Sequence, residues 1–109
     1  MKLVPAPDIV VWLNTEWSGQ YEWDAGNTTK LAKHNFTTEQ VEELFAEDFA
    51  FLGEAVDDKF NERRFVVCGQ LQNLKYMTVA WTNRADKIRP ISCRSARNGE
   101  KRSYHKIEK

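Results

Sequence analysis

The chain has 109 residues, of which 41% are hydrophobic and 29% charged, and its formal net charge is zero. This length and composition predict one soluble globular domain spanning 1–109 and exclude a disordered chain. The longest clean apolar run near the start, Ile9 to Leu13, is too short for a membrane span or a signal peptide, so we expect a cytoplasmic protein with no membrane partner.

The charges are unevenly distributed along the chain. Residues 1–62 hold thirteen acidic and four basic residues, whereas residues 63–109 hold three acidic and twelve basic ones, which gives net charges of −9 and +9. This asymmetry indicates a surface for nucleic acid or an acidic partner in the second half. The alternative is that the two halves fold together and their charges pair.

Cysteine and histidine usage argues against a metal site. Cys68 and Cys93 lie in apolar, strand-like runs, so we expect buried free thiols. His34 and His105 are the only histidines, and neither has a cysteine or histidine at zinc-ligand spacing. We therefore expect no metal and no other cofactor.

Residues 1–20 carry the weakest signals. Pro5 and Pro7 predict an irregular start, and Ile9–Leu13 predicts an edge strand because its residues favour β-structure. Tyr21–Asp24 alternates aromatic and acidic side chains, as a short half-buried strand does.

Two helices are expected next. Asp24 is a candidate N-cap for the first, with Asn27 or Thr28 as alternatives, and this helix runs roughly from Thr28 to His34. Asn35 suits the left-handed position that follows a helix.

The second helix begins at a capping box formed by Thr37 and Gln40. Its apolar residues recur at helical spacing: Val41, Leu44, Phe45 and Phe49. Its acidic outer face is interpreted as solvated surface and comprises Glu39, Glu42, Glu43 and Glu47.

Strands dominate the second half. Phe49–Leu52 could open a strand, and Gly53–Asn61 is interpreted as a loop. Three further strands joined by short turns favour an antiparallel meander: Arg63–Gly69, Lys75–Thr82 and Asp86–Arg97. A short basic helix at Glu100–Lys106 completes an α+β fold, in which two N-terminal helices pack on the sheet.

The last predicted strand, Asp86–Arg97, is unusually rich in arginine. Arg89 and Arg94 carry planar guanidinium forks, which suit phosphate oxygens. Pro90 removes a hydrogen-bond donor, so this strand lies at an edge of the sheet or is bulged there. The alternative interpretation is an edge strand kept soluble by its charges.

In their order and spacing, motifs over about 21–104 resemble the BrnT family, toxins of bacterial type II toxin–antitoxin pairs related to the RelE-like ribonucleases. These motifs are Glu22-Trp23-Asp24 with Gly26-Asn27, Lys33-His34, Glu42-Glu43-Leu44-Phe45, Glu62-Arg63-Arg64-Phe65, Thr82-Asn83-Arg84, Ile88-Arg89-Pro90-Ile91-Ser92-Cys93-Arg94 with Ala96, and Glu100 with Arg102 and Tyr104. Asn35 replaces the glycine that is usual after Lys-His, and asparagine tolerates the same left-handed conformation.

The resemblance implies a small RelE-like core over 21–104 and says nothing about the extension 1–20. It further implies a metal-independent ribonuclease that cleaves mRNA and is held inactive by a small, BrnA-like antitoxin of ribbon-helix-helix type. Operator DNA would be bound only through that antitoxin. The alternative is a catalytically inactive module that binds the antitoxin and helps to regulate the operon, since a fold does not fix a function.

Candidate site residues follow from this chemistry. Arg64 and Arg94, together with Arg89, would clamp the phosphate, and His34 or Lys33 would act as general acid or base. Tyr104 could stack on a base, or it could simply pack the last helix on the sheet. Glu62 is either a base or an ion-pair partner of Arg64. Further arginines expected to bind RNA phosphates are Arg63, Arg84, Arg89, Arg97 and Arg102.

Overall fold

The computed structural model describes residues 2–107 as an α+β fold built on one five-stranded sheet. The helices are α1 (Pro7–Thr15), α2 (Ala25–Lys33), α3 (Thr38–Ala46) and α4 (Asn98–Ile107). The strands are β1 (Lys2–Val4), β2 (Ala50–Val56), β3 (Arg64–Gln70), β4 (Tyr76–Arg84) and β5 (Lys87–Ser95). They lie side by side in chain order, and every neighbouring pair is antiparallel. The α+β class and the antiparallel meander are therefore confirmed.

The first twenty residues differ from the prediction. Ile9–Leu13 belongs to helix α1, and residues 2–4 form the edge strand β1. Pro7 stands at the start of α1, where a missing N–H costs nothing because the first turn has no partner for it. Ile9 and Trp12, three residues apart, are buried together on the sheet, so tertiary packing outweighs the local β preference.

The predicted strand at Tyr21–Asp24 is reduced to one isolated parallel bridge between Tyr21 and Ile88. The segment Ser18–Glu22 nevertheless lies along the outer edge of β5, because the Ile88 amide donates to the Gln20 carbonyl and the Glu22 amide donates to the Ile88 carbonyl. This segment covers half of a sheet edge that would otherwise expose unpaired backbone groups.

Local capping signals set the limits of α2 and α3. Asp24 and Asn27 form a capping box that starts α2, three residues earlier than predicted. Asn35 follows with φ of 62°, the left-handed conformation expected of it. Thr37 and Gln40 form the predicted capping box of α3.

The two faces of the sheet are covered differently. Helices α1, α2 and α3 contribute Ile9, Trp12, Leu31, Val41, Leu44 and Phe45 to a core against Phe65, Val67, Met77, Val79 and Trp81. We call this side of the sheet the covered face. On the opposite side α4 packs, through Tyr104 against Ala50 and Cys68. That side is the open face.

Strand β5 is both an edge of the sheet and bulged, as Pro90 predicts. The register shifts between Ala80, which pairs with Ser92, and Trp81, which pairs with Pro90, so Ile91 is the extra residue. Cys68 and Cys93 are buried free thiols, as predicted, and burial raises the pKa of Cys93 to about 11. Among residues 2–107, no helix is long and apolar enough to cross a membrane.

A candidate RNA site on the open face

The antiparallel register arranges the open face in transverse rows. One row contains Cys68, Thr78 and Arg94, and the next contains Val66, Ala80 and Ser92. The third row begins with Ala55 and Arg64 and continues to Thr82 and Arg89. Because side chains two residues apart share a face, the arginine rows lie on either side of a row of small or apolar side chains.

A cavity of about 210 Å³ lies over the middle row. Its lining includes three of the five residues predicted to be catalytic: His34, Arg64 and Arg94. His34 reaches it from the end of α2, which lies against β5, whereas Arg64 and Arg94 stand on β3 and β5. Residues more than fifty positions apart in the chain are thereby brought to one site.

Arg64 is unusual among the arginines that line this surface because no carboxylate within residues 2–107 forms an ion pair with it. Its Nε is buried and has no hydrogen-bond partner. Within residues 2–107 its guanidinium is held only by the ring of Phe60, with Cζ 4.1 Å from the ring centroid. A cation–π contact fixes the position of the charge but satisfies none of its N–H donors. Arg64 therefore presents an unneutralised, hydrogen-bonding cation to the cavity.

Arg94 also lines the cavity, but its fork is engaged. It donates through Nη1 and Nη2 to the two carboxylate oxygens of Glu100, at 2.8 and 2.7 Å. Glu100 also accepts from the Thr78 hydroxyl and the Arg97 amide. Burial would raise the pKa of Glu100, but these hydrogen bonds outweigh it and lower the pKa to about 2. Glu100 is therefore a firm anchor between α4 and β5.

A groove of about 240 Å³ continues from the cavity on the other side of Arg64, and Lys30, Arg84 and Arg89 line it. Arg89 pairs with Asp24 at 2.9 Å and with Glu22 at 3.3 Å, and the hydrogen bond that Arg89 donates to Asp24 raises the pKa of Arg89. Arg84 pairs with Glu62 at 3.2 Å. Glu62 is thus the partner of Arg84 rather than of Arg64, which was one of the two roles predicted for it, and its alternative role as a base stays a prediction.

The other predicted residues lie elsewhere. Arg63, next to Arg64 in the chain, pairs with Asp8 and Glu54 and lies over the ring of Phe65, on the covered face. Tyr104 is buried between α4 and the sheet. Three more are exposed and do not line the cavity: Lys33, Arg97 and Arg102. The roles assigned to all these residues stay predictions.

Pairing between the halves explains much of the charge asymmetry. The ion pairs of Arg63, Arg84 and Arg89 all join an arginine of the basic half to a carboxylate of the acidic half. Arg94 instead pairs within its own half. The part of the chain that the structure describes holds no cluster of three or more histidine, cysteine, aspartate or glutamate side chains able to bind a metal ion.

Sequence reasoning missed two features of the site. Phe60 lies in a loop without periodicity, so no pattern in the sequence marks it. The small middle row could have been found by aligning the predicted strands β3, β4 and β5, because Ala80 and Ser92 interrupt otherwise large side chains.

Fold and site together define a small α+β domain with a cationic cavity on the half-covered face of its sheet. A family model described as the ribonuclease toxin BrnT of type II toxin–antitoxin systems matches residues 23–100. The chain therefore belongs to the BrnT family, and the resemblance seen in its motifs is confirmed. Comparison with curated proteins gave no match. The matched range begins after α1, so β1 and α1 are additions to the part that the family model covers.

Proposed function

We propose that this BrnT-family toxin cleaves RNA without a metal ion. In the proposed step the ribose 2′-oxygen attacks the adjacent phosphorus, a P–O2′ bond forms and the P–O5′ bond breaks. The proton lost from the 2′-hydroxyl goes to a base, and the leaving 5′-oxygen receives one from an acid. Such a reaction requires positive charge on the phosphorane and a proton-transfer group beside it.

The observation that carries the proposal is the unneutralised guanidinium of Arg64 at the cavity. Developing negative charge is stabilised best by a preorganised donor that has no competing partner. Arg64 meets this requirement, because Phe60 holds its guanidinium through the ring face and leaves its N–H groups available. We assign to Arg64 the stabilisation of the phosphorane.

His34 is the proposed proton-transfer group. It lines the same cavity, and its side chain makes no hydrogen bond with any other residue in 2–107. Lys33 precedes it on the exposed side of α2 and is the alternative donor. Arg94 lines the cavity as a second cation, although Glu100 occupies its fork. We assign it to orienting the phosphate through its remaining donors.

The partner proposed for this toxin is a small antitoxin of ribbon-helix-helix type, similar to BrnA, which would carry any contact with operator DNA. A type II toxin–antitoxin family implies such a protein partner. The competing function is an inactive module that binds only the antitoxin. The pairing of Arg84, Arg89 and Arg94 with carboxylates favours that alternative, because it reduces the charge available to RNA.

The test is RNA cleavage by purified protein in EDTA, with Arg64→Ala, Arg94→Ala and His34→Ala beside the wild type and Arg63→Ala as the matched control. We expect cleavage by the wild type and the control and a strong loss in Arg64→Ala and His34→Ala. Absence of wild-type cleavage, or a requirement for Mg²⁺, would contradict the proposal. Growth arrest on expression without the antitoxin separates the toxin from the inactive module, whose expression would be harmless.

A further inference from the structure

The middle row of the open face has an unusual shape for the centre of a sheet. Val66, Ala80 and Ser92 pair across three adjacent strands, and they place only small or apolar side chains between Arg64 and Arg94 in the rows on either side. Ala80 and Ser92 are only partly buried, because α4 covers the row beside them and not this one. The missing side-chain volume is what leaves the cavity open.

The walls of the cavity differ from its floor. Ala55, Val66 and Ala80 contribute apolar floor, and the ring of Phe60 stands at one side. The cationic groups of Arg64 and Arg94 stand in the flanking rows rather than over the floor. The Ser92 hydroxyl lines the cavity and makes no hydrogen bond with any residue in 2–107. An apolar floor, a hydroxyl that makes no hydrogen bond within residues 2–107 and a cationic rim are therefore combined in one small space.

A bare phosphate would use only the rim. A nucleobase, by contrast, has apolar faces and a polar edge, so it can contact the floor with a face and reach a hydroxyl with its edge. A base that is stacked and paired in a duplex cannot enter such a cavity, whereas an unpaired base can be splayed out of its strand. The shape and the distribution of polarity thus select an unpaired nucleotide.

We propose that this cavity receives one unpaired nucleobase and that the substrate is accordingly single-stranded RNA. The base lies on the floor formed by Val66 and Ala80, the Ser92 hydroxyl contacts its edge, and its phosphate lies at Arg64. This inference rests on the proposed function for its choice of RNA. It goes further because it assigns the floor residues, which take no part in the cleavage chemistry, to substrate selection.

The experiment measures binding rather than cleavage, so that the two proposals can fail separately. The probe is a short 2′-O-methyl oligoribonucleotide, which has no free 2′-hydroxyl to attack, followed by fluorescence anisotropy. Its comparators are the same strand with abasic riboses and the same strand annealed to its complement. The wild type should bind the base-bearing single strand about tenfold more tightly than either comparator, which is the contribution expected of one stacked base.

Ala80→Leu fills the floor without touching an arginine, and it should abolish this preference. Ala46→Leu makes the same change on the exposed surface of α3 and should retain the preference. Ser92→Val fills the cavity from β5 and replaces Ala80→Leu if circular dichroism shows that Ala80→Leu does not fold.

Equal affinity of the wild type for the base-bearing and abasic strands would overturn the inference, as would an unchanged preference in the folded cavity-filling variant. If the wild type shows the preference but cuts no RNA in EDTA, the proposed cleavage is wrong and the base site stands. If the wild type cuts RNA in EDTA but shows no preference for the base-bearing strand, the base site is wrong and the proposed cleavage stands.

Discussion

Arg63 and Arg64 are adjacent in the chain, yet the two faces of the sheet give them opposite environments. Arg63 lies on the covered face, where Asp8 of α1 and Glu54 of β2 neutralise it at 2.7 and 2.8 Å. Arg64 lies on the open face, where Phe60 holds it and no carboxylate of the described residues 2–107 pairs with it. Since strand side chains alternate, one residue of register separates a structural cation from a candidate catalytic one.

The different environments of Arg63 and Arg64 show that the number of basic residues alone does not identify an anion-binding site. The second half carries twelve basic residues, but three of its arginines form ion pairs with carboxylates of the first half: Arg63, Arg84 and Arg89. What distinguishes Arg64 is its position at the cavity without a carboxylate partner in residues 2–107, rather than the sign of its charge. A desolvated guanidinium without a counter-ion is unfavourable in the free protein, and a phosphate would relieve that cost.

The largest expected effect is the loss of cleavage in Arg64→Ala. Removing one preorganised donor to a developing oxyanion typically costs about 100- to 1,000-fold in rate, and we expect a decrease of that size in single-turnover RNA cleavage. The free energy of unfolding should change by less than ~1 kcal/mol, because the Arg64 side chain makes no hydrogen bond with any residue in 2–107. A large loss of stability with little loss of cleavage in Arg64→Ala would contradict this assignment, because Arg64 would then have the structural role that is given to Arg63.

The second prediction tests whether RNA cleavage at the open face depends on the integrity of the covered side of the sheet. Gly53 has φ of +136°, and a Cβ there would lie 2.8 Å from the Val4 carbonyl oxygen of β1. Gly53→Ala should therefore loosen β1 and lower the free energy of unfolding by about 2 kcal/mol, measured by urea denaturation.

Gly19→Ala is the matched control for Gly53→Ala, because Gly19 also has a positive φ, of +84°, but a Cβ there would meet no atom within 4 Å. Gly19→Ala introduces the conformational strain without the steric clash, so it should lower the free energy of unfolding less than Gly53→Ala does. RNA cleavage should survive in both variants. A loss of cleavage in Gly53→Ala alone would show that the N-terminal extension supports the open face.

The third effect concerns the anchor of α4 on the open face. Because the pKa of Glu100 is about 2 in the folded protein against the ordinary 4.5, its charged form stabilises the fold above pH 4.5. That contribution is lost as the pH falls from 4.5 towards 2. Glu100→Gln should lower the free energy of unfolding at neutral pH by about 1–2 kcal/mol, since a charge-assisted hydrogen bond is lost from a partly exposed site.

The measurement is thermal unfolding from neutral to acidic pH. The gap between the wild type and Glu100→Gln should close as the solution is acidified. Glu47→Gln serves as a control, because the Glu47 side chain is exposed and makes no hydrogen bond or ion pair with another residue in 2–107. A gap that persists unchanged in acid would mean that Glu100 stabilises α4 by packing and not by its charge.

Local signals in the sequence were sufficient for the capping residues of α2 and α3 and for the antiparallel order of β3, β4 and β5. Asp24, Thr37 with Gln40, and Pro90 each act through the backbone of their immediate neighbours, so their effects could be predicted. The edge strand predicted for Ile9–Leu13 was wrong, because this segment forms a helix that is stabilised by burial against a sheet distant in the sequence. The partners of Arg63, Arg64 and Glu62 depend on strand register and on the β2–β3 loop, which no local pattern encodes.

The smallest expected effect completes the comparison of the two arginines. Arg63→Ala removes two ion pairs whose arginine side chain is 48% exposed, and exposed pairs contribute about 0.2–1 kcal/mol each at most. We expect a loss of roughly 1 kcal/mol in the free energy of unfolding, decreasing with added salt, and cleavage equal to that of the wild type. Asp8→Ala closes a double-mutant cycle with Arg63→Ala and isolates the contact between α1 and the sheet. If Arg63→Ala reduced cleavage as strongly as Arg64→Ala, the assignment of the RNA site to the cavity would be contradicted, because Arg63 does not line the cavity and its ion pairs and ring contact lie on the covered face.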